Sequence, residues 1–100
     1  MIFVIIRPSK KADKKYDAII NGTSTVSFGA QGYSDFRQHG DEDRKQRYIK
    51  RHEKNEDWTD PMTAGFYSRW LLWNKSTLFE SIEDVKRRFP NIKIKWSPAM

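Results

Sequence analysis

An α+β fold follows from three features of the sequence. Ile2 to Ile6 is a β-branched, apolar run, and two short alternating runs flank Asn21-Gly22. The second half carries helical patterns with their caps, then a last alternating run, Ile92-Lys93-Ile94-Lys95-Trp96. The order read from these signals is β-β-β-α-α-α-β, with an extra helical turn near Ser34. An N-terminal strand, a hairpin and a C-terminal strand then make a small mixed or antiparallel sheet. About three helices pack on one side of it. The chain has 100 residues and no internal repeat, so residues 1–100 are read as a single domain.

The first strand, Ile2 to Ile6, is apolar at every position and reads as buried on both faces. Arg7-Pro8 ends it, and Lys10, Lys11, Lys14 and Lys15 crowd the polar loop that follows. In the hairpin, parity decides the turn. A two-residue turn at Asn21-Gly22 would put Val26 and Phe28 opposite the face of Tyr16, Ala18 and Ile20. A three-residue loop, Asn21-Gly22-Thr23, pairs Tyr16 with Phe28 and Ala18 with Val26, so the apolar residues share a face. That leaves Ser27 on the other face, where an added charge should be tolerated if water reaches it.

Gly29 and Gly32 turn the chain out of the sheet; no Gly-Lys-Ser/Thr follows them, so they make no phosphate loop. Tyr33 to His39 forms a short helical turn capped by Ser34 or Asp35 and stopped by Gly40. Asp41 to Lys54 is a charged helix. Its acids stand first and its bases last, the order that opposes the helix dipole. At about 100° per residue, Arg44, Arg47, Arg51 and Lys54 fall within about an 80° arc. The neighbouring face, with Asp41, Lys45, Tyr48 and His52, is expected to lie against the core.

Trp58 to Asn74 holds three of the four tryptophans and reads as the central packing element. Asp60 suits an N-cap and Pro61 the first helical position. At helical spacing, Met62, Phe66, Trp70 and Trp73 make an apolar stripe, with Trp70 largely buried. Gly65 calls for a reason, either the close approach of another backbone or a helix that begins after Pro61. Arg69, alone among apolar neighbours, is expected to pair with Asp57 or Asp60. Thr77-Leu78-Phe79-Glu80 has the capping-box pattern, and Leu78, Ile82, Val85 and Phe89 line one face of the last helix until Pro90 stops it.

Lysine and arginine number 19 against 13 acids, a formal charge of +6. That balance favours an anionic partner, of which nucleic acid is the commonest. There is no cysteine, which excludes disulfides and cysteine-based zinc sites. The Ile2–Ile6 run is too short for a membrane span or a signal core, so the chain reads as soluble, intracellular and not secreted.

Several stretches together resemble one family: Val26 to Phe36, Arg47 to Ile49, Arg51-His52, Glu56 to Pro61, and Thr63 to Lys75, with Lys14 to Ile19 adding to them. It is a group of small proteins of unassigned function encoded by large double-stranded DNA viruses of algae and protists. Residues 1–12 fall outside the resemblance. It implies a viral protein found in the virion or in the cytoplasm or nucleus of the host cell, and it carries over no activity.

No catalytic constellation emerges. His39 and His52 match no zinc spacing, and Ser34, Asp35 and His39 on one short turn make a poor relay. The chain is therefore expected not to be an enzyme and to need no cofactor or metal. The expected function is non-specific nucleic-acid binding through phosphates, with DNA preferred to RNA. Its residues are Lys10, Lys11, Lys14, Lys15, Tyr33, Arg44, Arg47, Arg51 and Lys54. Tyr33, Phe36 and Trp58 are the rings least tied to a core stripe and thus candidates for stacking. The alternative is a minor virion component or an adaptor that binds an acidic viral protein.

Overall fold

The computed structural model describes residues 1–98; Ala99 and Met100, the end of the expected domain, lie outside the described residues. Four strands form one mixed sheet in the order β3-β2-β1-β4: β1 (Ile2–Pro8), β2 (Lys14–Ile20), β3 (Ser24–Ala30) and β4 (Ile92–Trp96). β1 runs antiparallel to β2 and parallel to β4. Between β3 and β4 lie α1 (Phe36–His39), α2 (Glu42–His52), α3 (Ala64–Tyr67) with a π-helical continuation over Ser68–Leu72, and α4 (Leu78–Arg88). This is the α+β order expected, with α1 as the extra turn near Ser34.

The hairpin has the odd loop. Tyr16 faces Phe28, Ala18 faces Val26 and Ile20 faces Ser24, with Asn21 and Gly22 both at positive φ. One face of the sheet thus carries Val4, Ile6, Ala18, Ile20, Phe28 and Ile94, all buried under the helices. β1 is not buried on both faces, as its composition suggested: Phe3, on the other side, is 59% exposed. The helices pack on one side only, so the alternate residues of an apolar run are left outside.

That outer face is not simply wet. Asp17, in the middle of β2, is 2% exposed. It accepts hydrogen bonds from Ser9 Oγ at 2.6 Å, Ser27 Oγ at 2.7 Å, the Lys10 amide and the Arg7 guanidinium. Burial works to raise its pKa, but these bonds outweigh burial and hold the carboxyl below its ordinary value. The condition for tolerating a charge at Ser27, a face open to water, is therefore not met. Ser27→Asp sets a second carboxylate against Asp17 in place of a donor. It is expected to cost about 2 kcal/mol or more, against about 1.5 kcal/mol for Ser27→Ala, in denaturant unfolding. Equal, negligible losses for both would show that the Asp17 cluster contributes nothing.

The central segment differs most from its sequence reading. Asp60 does not cap a helix: its Oδ1 accepts from the Met62 amide and its carbonyl from the Thr63 amide, which makes a turn. Thr63 is the N-cap instead, its Oγ1 accepting from the Phe66 amide at 3.2 Å. Met62 is left 51% exposed. Beyond Tyr67 the helix widens, and the Trp73 amide reaches back five residues to the Ser68 carbonyl at 3.0 Å. The fully buried side chains of this stretch are Phe66, Tyr67, Leu71 and Leu72, four to six residues apart across the widened turn, whereas Trp70 and Trp73 of the expected stripe are half-buried.

Trp70 is half-buried, not core. Its Nε1–H donates to the Trp58 carbonyl at 2.8 Å, and the Arg69 and Arg88 guanidinium carbons stand 4.4 and 4.6 Å from its ring centroid. Arg69 pairs with neither Asp57 nor Asp60. It donates to the Trp73 carbonyl at 2.8 Å and packs between Trp58 and Trp70. The last helix follows expectation, with Thr77 capping the Glu80 amide and Ile82 and Val85 buried.

Candidate nucleic-acid interface

The basic helix α2 is capped by Asp41, whose side chain accepts from the Arg44 amide at 3.2 Å. It is shorter than expected. Glu53 is its C-cap, so Lys54 lies past the helix, in a turn and outside the arginine stripe. What orients α2 is a single buried residue. Tyr48 stacks on Trp73 at 4.5 Å with the rings 3° from parallel, and His52 closes on Tyr48 at 4.4 Å. On the next turn, Lys45 Nζ donates to the Asn74 carbonyl at 2.8 Å. With Tyr48 turned in, Arg44, Arg47 and Arg51 are exposed along one wall of an open cleft of about 530 Å³.

The opposite wall comes from the far end of the hairpin and the turn after it: Lys14, Ala30, Tyr33 and Ser34. Leu72 and Trp73 from the π-helical turn help to line it. Gly29 makes this closeness possible. It sits at φ +78, and a Cβ there would lie 2.9 Å from Leu72 Cδ1 and 3.1 Å from Lys15 Cβ. Gly65 has a comparable task, though the group approaching it is not a backbone. The Glu56 carboxylate packs where its Cβ would be, at 2.8 Å. That carboxylate also accepts from Trp58 Nε1 at 2.8 Å and lies 3.6 Å from His52 Nδ1.

Six of the nine expected residues therefore meet at one cleft: Lys14, Lys15, Tyr33, Arg44, Arg47 and Arg51. Their roles differ. Arg44, Arg47, Arg51 and Lys14 have no carboxylate at ion-pair distance among the described residues. Lys15 is committed to the fold. Its ammonium donates to Asp35 Oδ2 at 2.7 Å, to the Tyr33 carbonyl at 2.5 Å and to Gln38 Oε1 at 3.0 Å. Asp35 is 2% exposed and also takes the Arg37 guanidinium. Burial tends to raise its pKa, but the bonds from Arg37 and Lys15 outweigh it and hold the carboxyl below its ordinary value. Lys10, Lys11 and Lys54 are exposed elsewhere and do not line the cleft.

The three candidate rings separate as well. Phe36 lies under the Lys45 ammonium at 4.6 Å, and Trp58 is bonded to Glu56 and covered by Arg69. Tyr33 alone stays open, 75% exposed at the cleft rim. Sequence reasoning missed the lining from Gly29 and Trp73. The one signal for it was the pair of glycines closing β3.

Asp35 is taken by Lys15 and Arg37, and His39 Nδ1 accepts from the Asp41 amide, so neither is turned to activate Ser34. Among the described residues no three His, Cys, Asp or Glu side chains are grouped to hold a metal, and no helix is long and apolar enough to cross a membrane.

Residues 4–52 match a protein family described as a family of unknown function (DUF5754). The match runs from β1 through α2. It includes every expected binding residue except Lys54, takes in part of the N-terminal stretch outside the resemblance, and stops before the tryptophan-rich segment. No curated protein matches the chain, and no solved structure does.

Proposed function

We propose that this chain is a small basic viral protein that binds nucleic acid non-specifically through phosphates and catalyses nothing. One observation supports the reading: Arg44, Arg47, Arg51 and Lys14 line one cleft, and among the described residues none of the four is in an ion pair, although Asp35 and Glu56 line the cleft as well. The two carboxylates are engaged by Lys15, Arg37 and Trp58, so the four exposed or half-exposed cations leave the cleft an excess of positive charge that attracts a polyanion. Lys10, Lys11 and Lys54 extend the positive surface beyond the cleft. The resemblance to proteins of double-stranded DNA viruses supports viral origin, DNA in preference to RNA, and a place in the virion or the host-cell interior.

A salt titration tests this. With duplex and single-stranded ligands titrated side by side, the logarithm of affinity should fall with log salt at about −0.9 per neutralised phosphate on a duplex and about −0.7 on a single strand. Replacing Arg44, Arg47 and Arg51 with Gln should weaken binding to all sequences alike and flatten that slope by up to about three contacts. The melting temperature should hardly move, because exposed charges contribute little to folding. Absence of binding to either ligand at low salt, or an unchanged slope in the triple variant, would favour the virion-component or adaptor reading.

A further inference from the structure

We infer that the cleft takes a single strand, with one base unstacked into it against Tyr33, and not a duplex. This rests on the phosphate-binding reading and adds a ligand class to it. Three features of the cleft point that way.

The first is shape. The unpaired cations do not stand on a convex ridge; they edge a cleft of about 530 Å³, within the range of pockets that enclose small molecules. A duplex keeps its bases stacked inside and offers only its phosphates to such a rim. An unpaired strand can send a base between the walls while its phosphates stay on the arginines.

The second is the state of Tyr33. Its ring is 75% exposed and takes part in none of the aromatic pairs of the fold. Its backbone, by contrast, is held. The Tyr33 carbonyl accepts from Lys15 Nζ, and the same ammonium is fixed by the buried Asp35, which caps α1. The ring is thus presented from an anchored main chain beside unpaired cations. Little ordering remains to be done when a base stacks on it.

The third is extent. From Arg44 to Arg51 the helix advances about 10 Å at about 1.5 Å per residue, and Lys14 stands on the other wall. That is room for more than one phosphate, which suits a strand and exceeds what a lone nucleotide uses.

The test compares three ligands of one length at one low salt concentration: oligothymidylate, the same strand with abasic sugars throughout, and a duplex. The proteins are wild type, Tyr33→Ala and Tyr33→Phe. Oligothymidylate should bind wild type about tenfold more tightly than the abasic strand, the scale of one stacked base. Tyr33→Ala should remove most of that difference and leave the salt slope unchanged, whereas Tyr33→Phe should keep it. Equal affinity for the base-bearing and abasic strands, or duplex bound more tightly than oligothymidylate, would overturn the single-strand inference and leave phosphate binding standing. Failure of all three ligands to bind would overturn both.

Discussion

Phe66→Ala is expected to cost about 3–5 kcal/mol, the scale of a large ring removed from a packed core. Phe66 is fully buried and meets Tyr67 at 5.0 Å and Phe89 at 5.1 Å. Trp70→Ala should cost less, about 1–3 kcal/mol, although tryptophan is the larger residue. Its ring is only half-buried, and much of what it touches is guanidinium that can turn to water. Urea unfolding of the two variants, compared at constant m-value, decides between the stripes. A larger loss at Trp70 than at Phe66 would restore the regular helical stripe and count against Phe66, Tyr67, Leu71 and Leu72 as the buried set.

Asp35→Asn is expected to cost about 3 kcal/mol or more, since it strands two buried cations. Asn caps a helix about as well as Asp, so the loss isolates the charge and spares the α1 cap. The Lys15 and Arg37 side chains are only 9% and 15% exposed, and each loses its one carboxylate. Lys15→Met on the Asp35→Asn background should recover part of the stability by removing one stranded charge. The pH dependence gives an independent check. Asp35 is held below the ordinary aspartate value of 3.8, so its contribution is complete above that value and drains away as pH falls through the lowered folded value. The gap between wild type and Asp35→Asn should therefore narrow below about pH 4. A loss under about 1 kcal/mol at neutral pH, or a gap that does not change in acid, would mean that the pair is not formed.

The two residues matter to the cleft in different ways. Phe66 and Leu71 fix the π-helical turn, and the turn sets Trp73 under Tyr48, which aims the arginines of α2. Asp35 fixes Lys15, and Lys15 fixes the main chain of Tyr33. One wall of the cleft is positioned by apolar packing and the other by a buried ion pair.

Much of this was legible in the sequence. Side-chain alternation admits only one loop parity at Asn21-Gly22-Thr23 if Ala18 and Phe28 are to share a face, so the hairpin register could be worked out from residue types. The cap at Thr77, the choice of Ser34 or Asp35 before α1, the charge order of α2 and the arc of Arg44, Arg47 and Arg51 are local in the same sense: each depends on residues within one or two turns. Other features were decided only by the tertiary structure. The π-helical turn breaks the three-and-four spacing on which the stripe from Met62 to Trp73 was read, so that Phe66, Tyr67, Leu71 and Leu72 are buried while Met62 is exposed and Trp70 and Trp73 are half-buried. Lys15 reads as one more loop lysine until Asp35, twenty residues on, is folded against it. Asp17 shares the outer face of the sheet with Ser27, and only the fold brings Ser9 and Ser27 onto its carboxylate. Local spacing determines periodicity and caps, whereas the partner of a buried charge is chosen by which distant segments the core brings together.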